Sequence, residues 1–100
     1  MTIITRDQVA EQFRIPTTLL IRYESRGLVH SVREGDAIGY EPSEVRRVWS
    51  VVSLHRDLGI NLAGIEAILR LRDQMNEVHA HLAQLARDMQ DALEPRDERS

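Results

Sequence analysis

Residues 17–29 read TTLLIRYESRGLV, and this stretch decides the fold. Its first ten residues predict a helix, about Thr17–Arg26, because the apolar side chains recur at helical spacing. The residues on that apolar face are Leu19, Leu20 and Tyr23. Gly27 predicts the end of the helix, since glycine readily takes the left-handed conformation of a C-terminal cap. The chain after this glycine is expected to be extended.

A shorter helix is predicted immediately before this stretch. Thr5 can cap the backbone N–H of Gln8 while the Gln8 side chain reaches back, which is a capping-box pattern that starts a helix. Pro16 predicts that this helix stops near Arg14, because the residue before a proline avoids helical geometry. Proline itself suits the first turn of the next helix. The two helices are therefore joined by a short turn.

The residues after the second helix predict a small β-hairpin. They read VHSVREGDAIGY over residues 29–40, with two short β-prone pieces on either side of Glu34-Gly35-Asp36. Glycine and aspartate between such pieces are typical of a hairpin turn. A hairpin of this size, placed after two short helices, has the position of a wing.

A third helix is predicted after the hairpin. Pro42 suits a first helical position and Gly59 suits the end, so the helix covers about Pro42–Leu58. We expect Tyr23 and Trp49 to serve core packing rather than a ligand cage, because both lie on apolar faces at helical spacing. The buried face of the third helix is expected to contain Val45, Val48, Trp49 and Val52.

The fourth helix carries a long apolar stripe. Asn61 can cap its start, and no glycine or proline follows Gly64 until Pro95. Its first inner face consists of Leu62, Ile65, Ile68 and Leu69. Beyond them, spacings of four and three residues alternate, which predicts a heptad seam. The residues predicted for dimerisation on this seam are Leu71, Met75, Val78, Leu82, Leu85 and Met89, and Ala92 continues the spacing.

This stripe would leave apolar surface in water on a lone helix, so we expect a homodimer; the alternative is that the stripe folds back onto its own domain. The predicted organisation is a winged helix-turn-helix domain at residues 1–69, a C-terminal dimerisation helix at 70–93 and a disordered tail at 94–100. The tail reads EPRDERS and has no apolar residue to bury.

Charge and composition limit the classes of function. All 13 basic residues are arginine, against 16 acids, and the net charge of -3 is a poor overall match to polyanionic DNA. Residues 61–100 hold 5 arginines and 8 acids, so the excess of acids lies in this part. No apolar run approaches the ~20 residues that span a bilayer, and the start MTIITRDQ lacks the features of a signal peptide. We therefore expect a cytoplasmic protein without membrane contact.

Metal binding and catalysis are not expected. The chain has no cysteine and four histidines. His79 and His81 are two residues apart on a helix, so their side chains point about 200° apart and cannot share one ion. The acids and histidines do not converge on a glycine-rich loop, a nucleophile motif or a carboxylate pair of recognisable spacing. We expect no cofactor and no small-molecule substrate.

The chain, with two short helices, a wing and two further helices in this order, resembles the MerR superfamily over about residues 3–93. The most specific pieces are Tyr23-Glu24 ahead of Gly27-Leu28, the Tyr40, Pro42 and Val45 entry to the third helix, and LGINLAGIEAIL at residues 58–69. The resemblance implies a mostly α fold, namely a MerR-like winged helix-turn-helix with a coiled-coil-like C-terminal dimerisation helix. It also implies regulation rather than catalysis.

Two branches of the superfamily are similar to this chain. The segment GINLAGIEAIL resembles HspR-type repressors of heat-shock operons, which bind DNA. The longer segment LHRDLGINLAGIEAILRLRDQM resembles the CbpM-type chaperone modulators, which share the fold but bind the J-domain of a DnaJ-type co-chaperone. Both branches are connected with the DnaK chaperone system.

Departures from the DNA-binding pattern favour the CbpM-type interpretation. In DNA-binding members the second helix typically reads T-L-R-x-Y-E, with the arginine gripping a phosphate, and here Leu19, Leu20 and Ile21 stand in the first three positions. Their wing has an arginine pair before the tyrosine, whereas Ile38 and Gly39 precede it here. The carboxylates expected nearby, which would repel a phosphate backbone, belong to Glu34, Asp36 and Glu41.

Each interpretation has its own predicted site. For J-domain binding we predict the acidic residues Asp73, Glu77 and Asp88 on the fourth helix, because a J-domain presents a basic helix. The alternative is a dimer that binds palindromic promoter DNA, through Thr17, Thr18, Arg22, Tyr23, Arg26, Arg33 and Tyr40. The three arginines of that set could equally be solvated or paired with nearby carboxylates, where they would contribute little.

Overall fold

The computed structural model describes residues 2–94 and contains three short strands and four α-helices. They are, in chain order, β1 (Ile4–Thr5), α1 (Arg6–Phe13), α2 (Thr17–Ser25), β2 (Val32–Glu34), β3 (Ala37–Tyr40), α3 (Pro42–Val52), a π-helical turn (Ser53–Asp57) and α4 (Leu62–Leu93). The fold is mostly α, as predicted. Of the predicted disordered tail, residues 95–100 lie outside the described residues.

The helix-turn-helix forms as the local signals predict. Thr5 Oγ1 accepts a hydrogen bond from the Gln8 backbone at 3.2 Å, and the Gln8 side chain accepts one from the Thr5 backbone at 3.0 Å. Arg14 ends α1 in the left-handed conformation, with φ of 57°. Pro16 then caps α2 in an extended conformation. Gly27 follows α2 with φ of 73°, the conformation that glycine adopts most easily.

The wing is part of a three-stranded antiparallel sheet with the order β1-β3-β2. Val32 pairs with Gly39 and Glu34 pairs with Ala37, so the turn is formed by Gly35 and Asp36, and Glu34 belongs to β2. The third strand, β1, was not predicted. It pairs with the other side of β3 over two residues only, which is too short for an alternating pattern to be visible in the sequence.

Gly39 allows β1 to lie close to β3. A Cβ at this position would collide with the Ile4 carbonyl oxygen and would lie 2.8 Å from the Thr5 Cα, both of which are backbone atoms. We therefore expect Gly39→Ala to lower the free energy of unfolding by about 1–3 kcal/mol, because the two strands must separate to admit the methyl group. Urea unfolding followed by circular dichroism measures this effect.

Gly64→Ala is the matched control, since Gly64 lies in the first turn of α4. A Cβ there would lie 2.8 Å from Cγ2 of Ile60 and 3.2 Å from Oδ1 of Asn61, so side chains rather than backbone would have to shift. Alanine also favours a helix over glycine by about 1 kcal/mol. The control should therefore lose less stability than Gly39→Ala, because only side chains must shift in the control, whereas two stretches of backbone must separate at Gly39. If both variants lost the same free energy of unfolding, Gly39 would not be needed for the close approach of β1 and β3.

The prediction that Trp49 is buried in the face of α3 is wrong. The buried residues of α3 are Val48, Val51 and Val52, Val45 is half-buried, and Trp49 is 48% exposed. Val51 takes the inward position, and Trp49 lies about 100° around the helix from Val48. The regular α-helical part of the third helix ends at Val52, earlier than predicted. Ser53–Asp57 then form a π-helical turn before Leu58.

The chain divides into two compact units, Met1–Ala67 and Ile68–Ser100. The first contains the sheet, α1 to α3 and the start of α4, where Asn61 Oδ1 accepts a hydrogen bond from the Gly64 backbone at 2.8 Å, as the predicted cap requires. Its fully buried side chains include Val9, Leu20, Tyr23, Tyr40, Val48, Val51, Val52 and Ile65. The second unit contains the remainder of α4. Within residues 2–94, no helix is long and apolar enough to cross a membrane.

Candidate functional site

Glu24 holds the helix-turn-helix to the wing. Its Oε1 accepts hydrogen bonds from Arg6 Nη2 at 2.7 Å and Ser31 Oγ at 3.0 Å, and its Oε2 accepts from Arg6 Nε at 3.1 Å and from the Tyr40 hydroxyl. Burial is the largest single influence on the Glu24 carboxyl and raises its pKa, but the hydrogen bonds from Arg6, Tyr40 and Ser31 together outweigh it, so the pKa is lowered overall. Burial and Glu24 both raise the pKa of Tyr40. Glu24 therefore has a structural role.

Tyr23 is likewise a core residue. Its side chain is fully buried, and its hydroxyl lies 2.8 Å from Nδ1 of His55 on the π-helical turn. The two rings meet edge to face with centroids 5.6 Å apart. Burial raises the pKa of Tyr23. Arg56, the next residue of the turn, donates a hydrogen bond to the Phe13 carbonyl oxygen. The turn thus connects α3 to both helices of the helix-turn-helix.

The residues predicted for DNA binding are not all on the surface. Arg26 forms a bidentate ion pair with Glu66, with Nη2–Oε2 and Nε–Oε1 distances of 3.0 and 3.1 Å, which raises the pKa of Arg26. Its guanidinium is therefore already engaged by a carboxylate. The other positions divide by burial: Thr18, Arg22 and Arg33 are exposed, Thr17 is half-buried, and Tyr23 and Tyr40 are buried.

A concave surface of about 410 Å³ lies between the start of α1, α2 and the wing. We call it the α2–wing surface. Asp7 and Asp36 line it together with Ile21 and Ile38, and Ile21 is 45% exposed. Arg6 is the only arginine among residues 2–94 that lines it, and Glu24 holds its guanidinium. The α2–wing surface thus presents two carboxylates and apolar side chains where a DNA-binding protein of this architecture would need cations.

The heptad stripe lies on the surface of the second unit. We call it the α4 seam, and each of its members is between 53% and 57% exposed: Leu71, Met75, Val78, Leu82, Leu85 and Met89. Single exposed apolar residues are ordinary, but a contiguous apolar stripe on one helix marks an interaction site. Between Leu62 and Leu93 the helix has no break that would turn the stripe away from a partner.

The acidic residues predicted for J-domain binding lie on another side of the same helix. At 3.6 residues per turn, Asp73, Glu77 and Asp88 fall within an arc of about 60°, centred more than about 100° from the α4 seam. We call this set the acidic face. Asp88 Oδ1 accepts a hydrogen bond from Gln84 Nε2 at 2.9 Å, and Glu77 is exposed. A partner on the seam would leave the acidic face accessible.

The histidines do not gather into a metal site in the described part of the chain. Among residues 2–94, no group of three histidine or carboxylate side chains could hold an ion. His79 and His81 are exposed on α4, and the His30 imidazole lies 3.6 Å from the Glu44 carboxylate.

A helix-turn-helix followed by a β-hairpin and a long helix defines the chain as a winged helix-turn-helix protein. The family model for MerR HTH family regulatory proteins matches residues 4–87. The chain belongs to this family, and this confirms the relationship predicted from the sequence. The matched family is one of regulators, so the coarse function of the chain is regulatory.

A curated relative comes from Streptomyces coelicolor and carries the name heat shock protein HspR. It is 39% identical to this chain over 72 residues, which cover 71% of this chain and 47% of the relative. The chain therefore spans about half the length of the curated relative that it matches. The predicted similarity to HspR-type proteins is confirmed.

Proposed function

We propose that this chain is a cytoplasmic, non-enzymatic regulator of the DnaK/DnaJ chaperone system, similar to the CbpM-type modulators, that binds the J-domain of a DnaJ-type co-chaperone. The main support for this proposal is the acidic and apolar character of the α2–wing surface. A protein that grips DNA neutralises phosphates with arginine or lysine, and here Asp7, Asp36 and the exposed Ile21 occupy that surface. These groups repel phosphate and favour contact with protein.

The acidic face of α4 supports the choice of partner. A J-domain presents a basic helix, and carboxylates on one side of α4 would attract it over a distance of about a Debye length. Binding would then cover the J-domain and limit its stimulation of DnaK by steric and electrostatic occlusion. This mechanism needs no cofactor and no covalent step.

Pairing through the α4 seam fits the same function. A dimer would bury the apolar stripe of both copies, while the acidic face of each copy would remain open to a partner. Two J-domain sites on one dimer would increase the apparent affinity for a co-chaperone that is itself dimeric. We therefore propose a homodimer as the functional form.

A specific observation favours a second candidate, a transcriptional regulator that binds palindromic promoter DNA as a dimer. The chain is similar to a protein named HspR, and Thr18, Arg22 and Arg33 are exposed on α2 and the wing. Each arginine could contact a phosphate and release counterions. Under this alternative Tyr23 and Tyr40 would support the surface from within, and Arg26 would stay paired with Glu66, rather than contact DNA.

Binding measurements at two salt concentrations separate these functions. We expect the full chain to bind the J-domain of its own organism's DnaJ homologue with a dissociation constant of about 1 μM or tighter. Binding to its own promoter should be weak at ~50 mM salt and absent at ~150 mM. Calorimetry measures binding to the J-domain, and fluorescence anisotropy measures binding to promoter DNA. Tight, sequence-selective promoter binding that persists at ~150 mM salt would refute the proposal and support the DNA-binding alternative.

Charge reversal on the acidic face locates the J-domain contact. We expect the triple variant Asp73→Lys, Glu77→Lys and Asp88→Lys to bind the J-domain at least about tenfold more weakly, mainly through slower association. The control is Gln90→Lys, which adds a cation more than about 100° away around α4. Equal affinities of the wild type and the triple variant would place the J-domain contact elsewhere on the chain.

A further inference from the structure

Trp49 is the only tryptophan of the chain, and almost half of its surface meets solvent. Its ring packs against Phe13 with centroids 5.4 Å apart and an interplanar angle of 42°. Phe13 itself is 9% exposed. The pair therefore anchors the indole to the core through α1 and leaves the rest of it accessible. Neither the α2–wing surface nor the α4 seam includes these two residues.

A groove of about 650 Å³ runs between α1 and α3 beside this pair. Its walls are formed by Gln12, Phe13, Val45, Arg46, Trp49 and Ser50. The volume is within the range of small binding sites in proteins. Tryptophan and arginine are among the residues enriched in the side chains that dominate binding energies at protein interfaces. We call this the Trp49 groove.

Arg46 gives the groove its electrostatic character. It is the only charged residue of the six that line the groove, and its side chain forms no hydrogen bond or ion pair with any other residue among 2–94. Arg14 follows Phe13 directly and is also exposed. Arg56 reaches the Phe13 carbonyl oxygen, although Asp57 balances its charge at 3.1 Å. The groove thus combines apolar aromatic surface with an uncompensated cation.

We propose that the Trp49 groove binds a short acidic peptide segment of a partner protein. An apolar side chain of the segment lies against Trp49 and Phe13, and a neighbouring carboxylate pairs with Arg46. A second copy of this chain is a poorer occupant, because a symmetric contact would bring the same six residues together. That set contains no acid to meet Arg46.

Selection from a peptide library tests the proposal, because it needs no identified partner. The probe is a phage-displayed library of random dodecapeptides, panned against the immobilised full chain. We expect the recovered peptides to share an apolar or aromatic residue flanked by aspartate or glutamate. The number of phage recovered should fall at least about tenfold when the immobilised protein is Arg46→Glu or Trp49→Ala. Peptides selected on Arg46→Glu should contain lysine and arginine in place of the acids.

The control variant is Arg33→Glu, which changes an exposed arginine on the wing and should recover the same acidic peptides. A selected peptide that lacks tryptophan should shift the emission of Trp49 to shorter wavelength on binding, since it removes the indole from water. Thermal unfolding of each variant checks that these exposed substitutions leave the fold intact. Recovery that is equal on wild type and Trp49→Ala, or a consensus without acids, would overturn the proposal. So would self-association in solution that Trp49→Ala abolishes.

Discussion

Replacing Leu82 with glutamate is expected to make the chain monomeric, whereas the wild type should be a dimer. Leu82 lies in the middle of the α4 seam and is 57% exposed within one copy. Pairing would bury this side chain in both copies, so the variant would place two carboxylates in an apolar contact. Burying an unpaired carboxylate should weaken the free energy of dimerisation by at least about 3 kcal/mol. This loss raises the dissociation constant of the dimer about a hundredfold. Sedimentation velocity over a range of concentrations measures the change.

Ala80→Glu is the matched control for this experiment. Ala80 lies on the side of α4 roughly opposite Leu82, about 200° away by the helical repeat, and is exposed. The same charge is therefore added to the same helix, but outside the seam. The control should remain a dimer. If Leu82→Glu also remains a dimer at all concentrations, the interface lies outside the α4 seam.

Replacing Glu24 with alanine is expected to lower the free energy of unfolding by about 2–3 kcal/mol. The Glu24 side chain is 15% exposed and its partner Arg6 is 22% exposed, so solvent screens the pair only partly. The variant would leave Arg6, Ser31 and the Tyr40 hydroxyl without their common acceptor. For a domain of this size such a loss lowers the melting temperature by about 10 °C. Calorimetry should compare variants at equal protein concentration, because the proposed dimerisation would raise the apparent stability.

The pH dependence of stability gives a second measure of Glu24. Because folding lowers the pKa of this carboxyl from its ordinary value of 4.5, ionised Glu24 stabilises the fold fully above about that pH. The contribution is lost as the pH falls through the lower pKa of the folded state. In Glu24→Gln this contribution is absent at every pH, so the difference in stability from the wild type should shrink in acid.

Glu34→Gln is the control, because Glu34 is exposed on β2 and its side chain has no hydrogen-bond or ion-pair partner among residues 2–94. It should follow the wild-type pH profile. A difference between wild type and Glu24→Gln that stays constant between about pH 3 and 7 would show that Glu24 stabilises the fold by packing rather than by its charge.

The helix boundaries could be predicted because the signals that set them are local. The Thr5 and Gln8 side chains cap α1 from within four residues, Pro16 acts on its neighbours, and Gly27 needs only its own backbone freedom. Asn61 caps α4 across three residues. Each signal has the same physical effect whatever packs around it. The order of these local signals was also sufficient for the family to be recognised.

The features that escaped prediction depend on residues distant in the chain. Arg6 forms hydrogen bonds with Glu24, which is 18 positions away in the chain, and Tyr23 forms one with His55, which is 32 positions away. The Tyr-Glu pair was recognised as a family signature, but nothing local shows that both side chains point inward. The orientation of Trp49 was predicted wrongly for the same reason. Spacing predicted Trp49 on the buried face of α3, but its ring packs against Phe13 of α1 and 48% of the residue is exposed.

The π-helical turn at Ser53–Asp57 makes the length of this segment important as well as its composition. A π-helical turn contains one residue more than α-helical geometry would accept, and the Leu58 backbone accordingly bonds to the Ser53 carbonyl. Deleting one residue would rotate later side chains by about 100°. His55 and Arg56 would then no longer face α1 and α2. In an alignment of related chains, we therefore expect insertions and deletions to be excluded from this segment even where its amino acids vary.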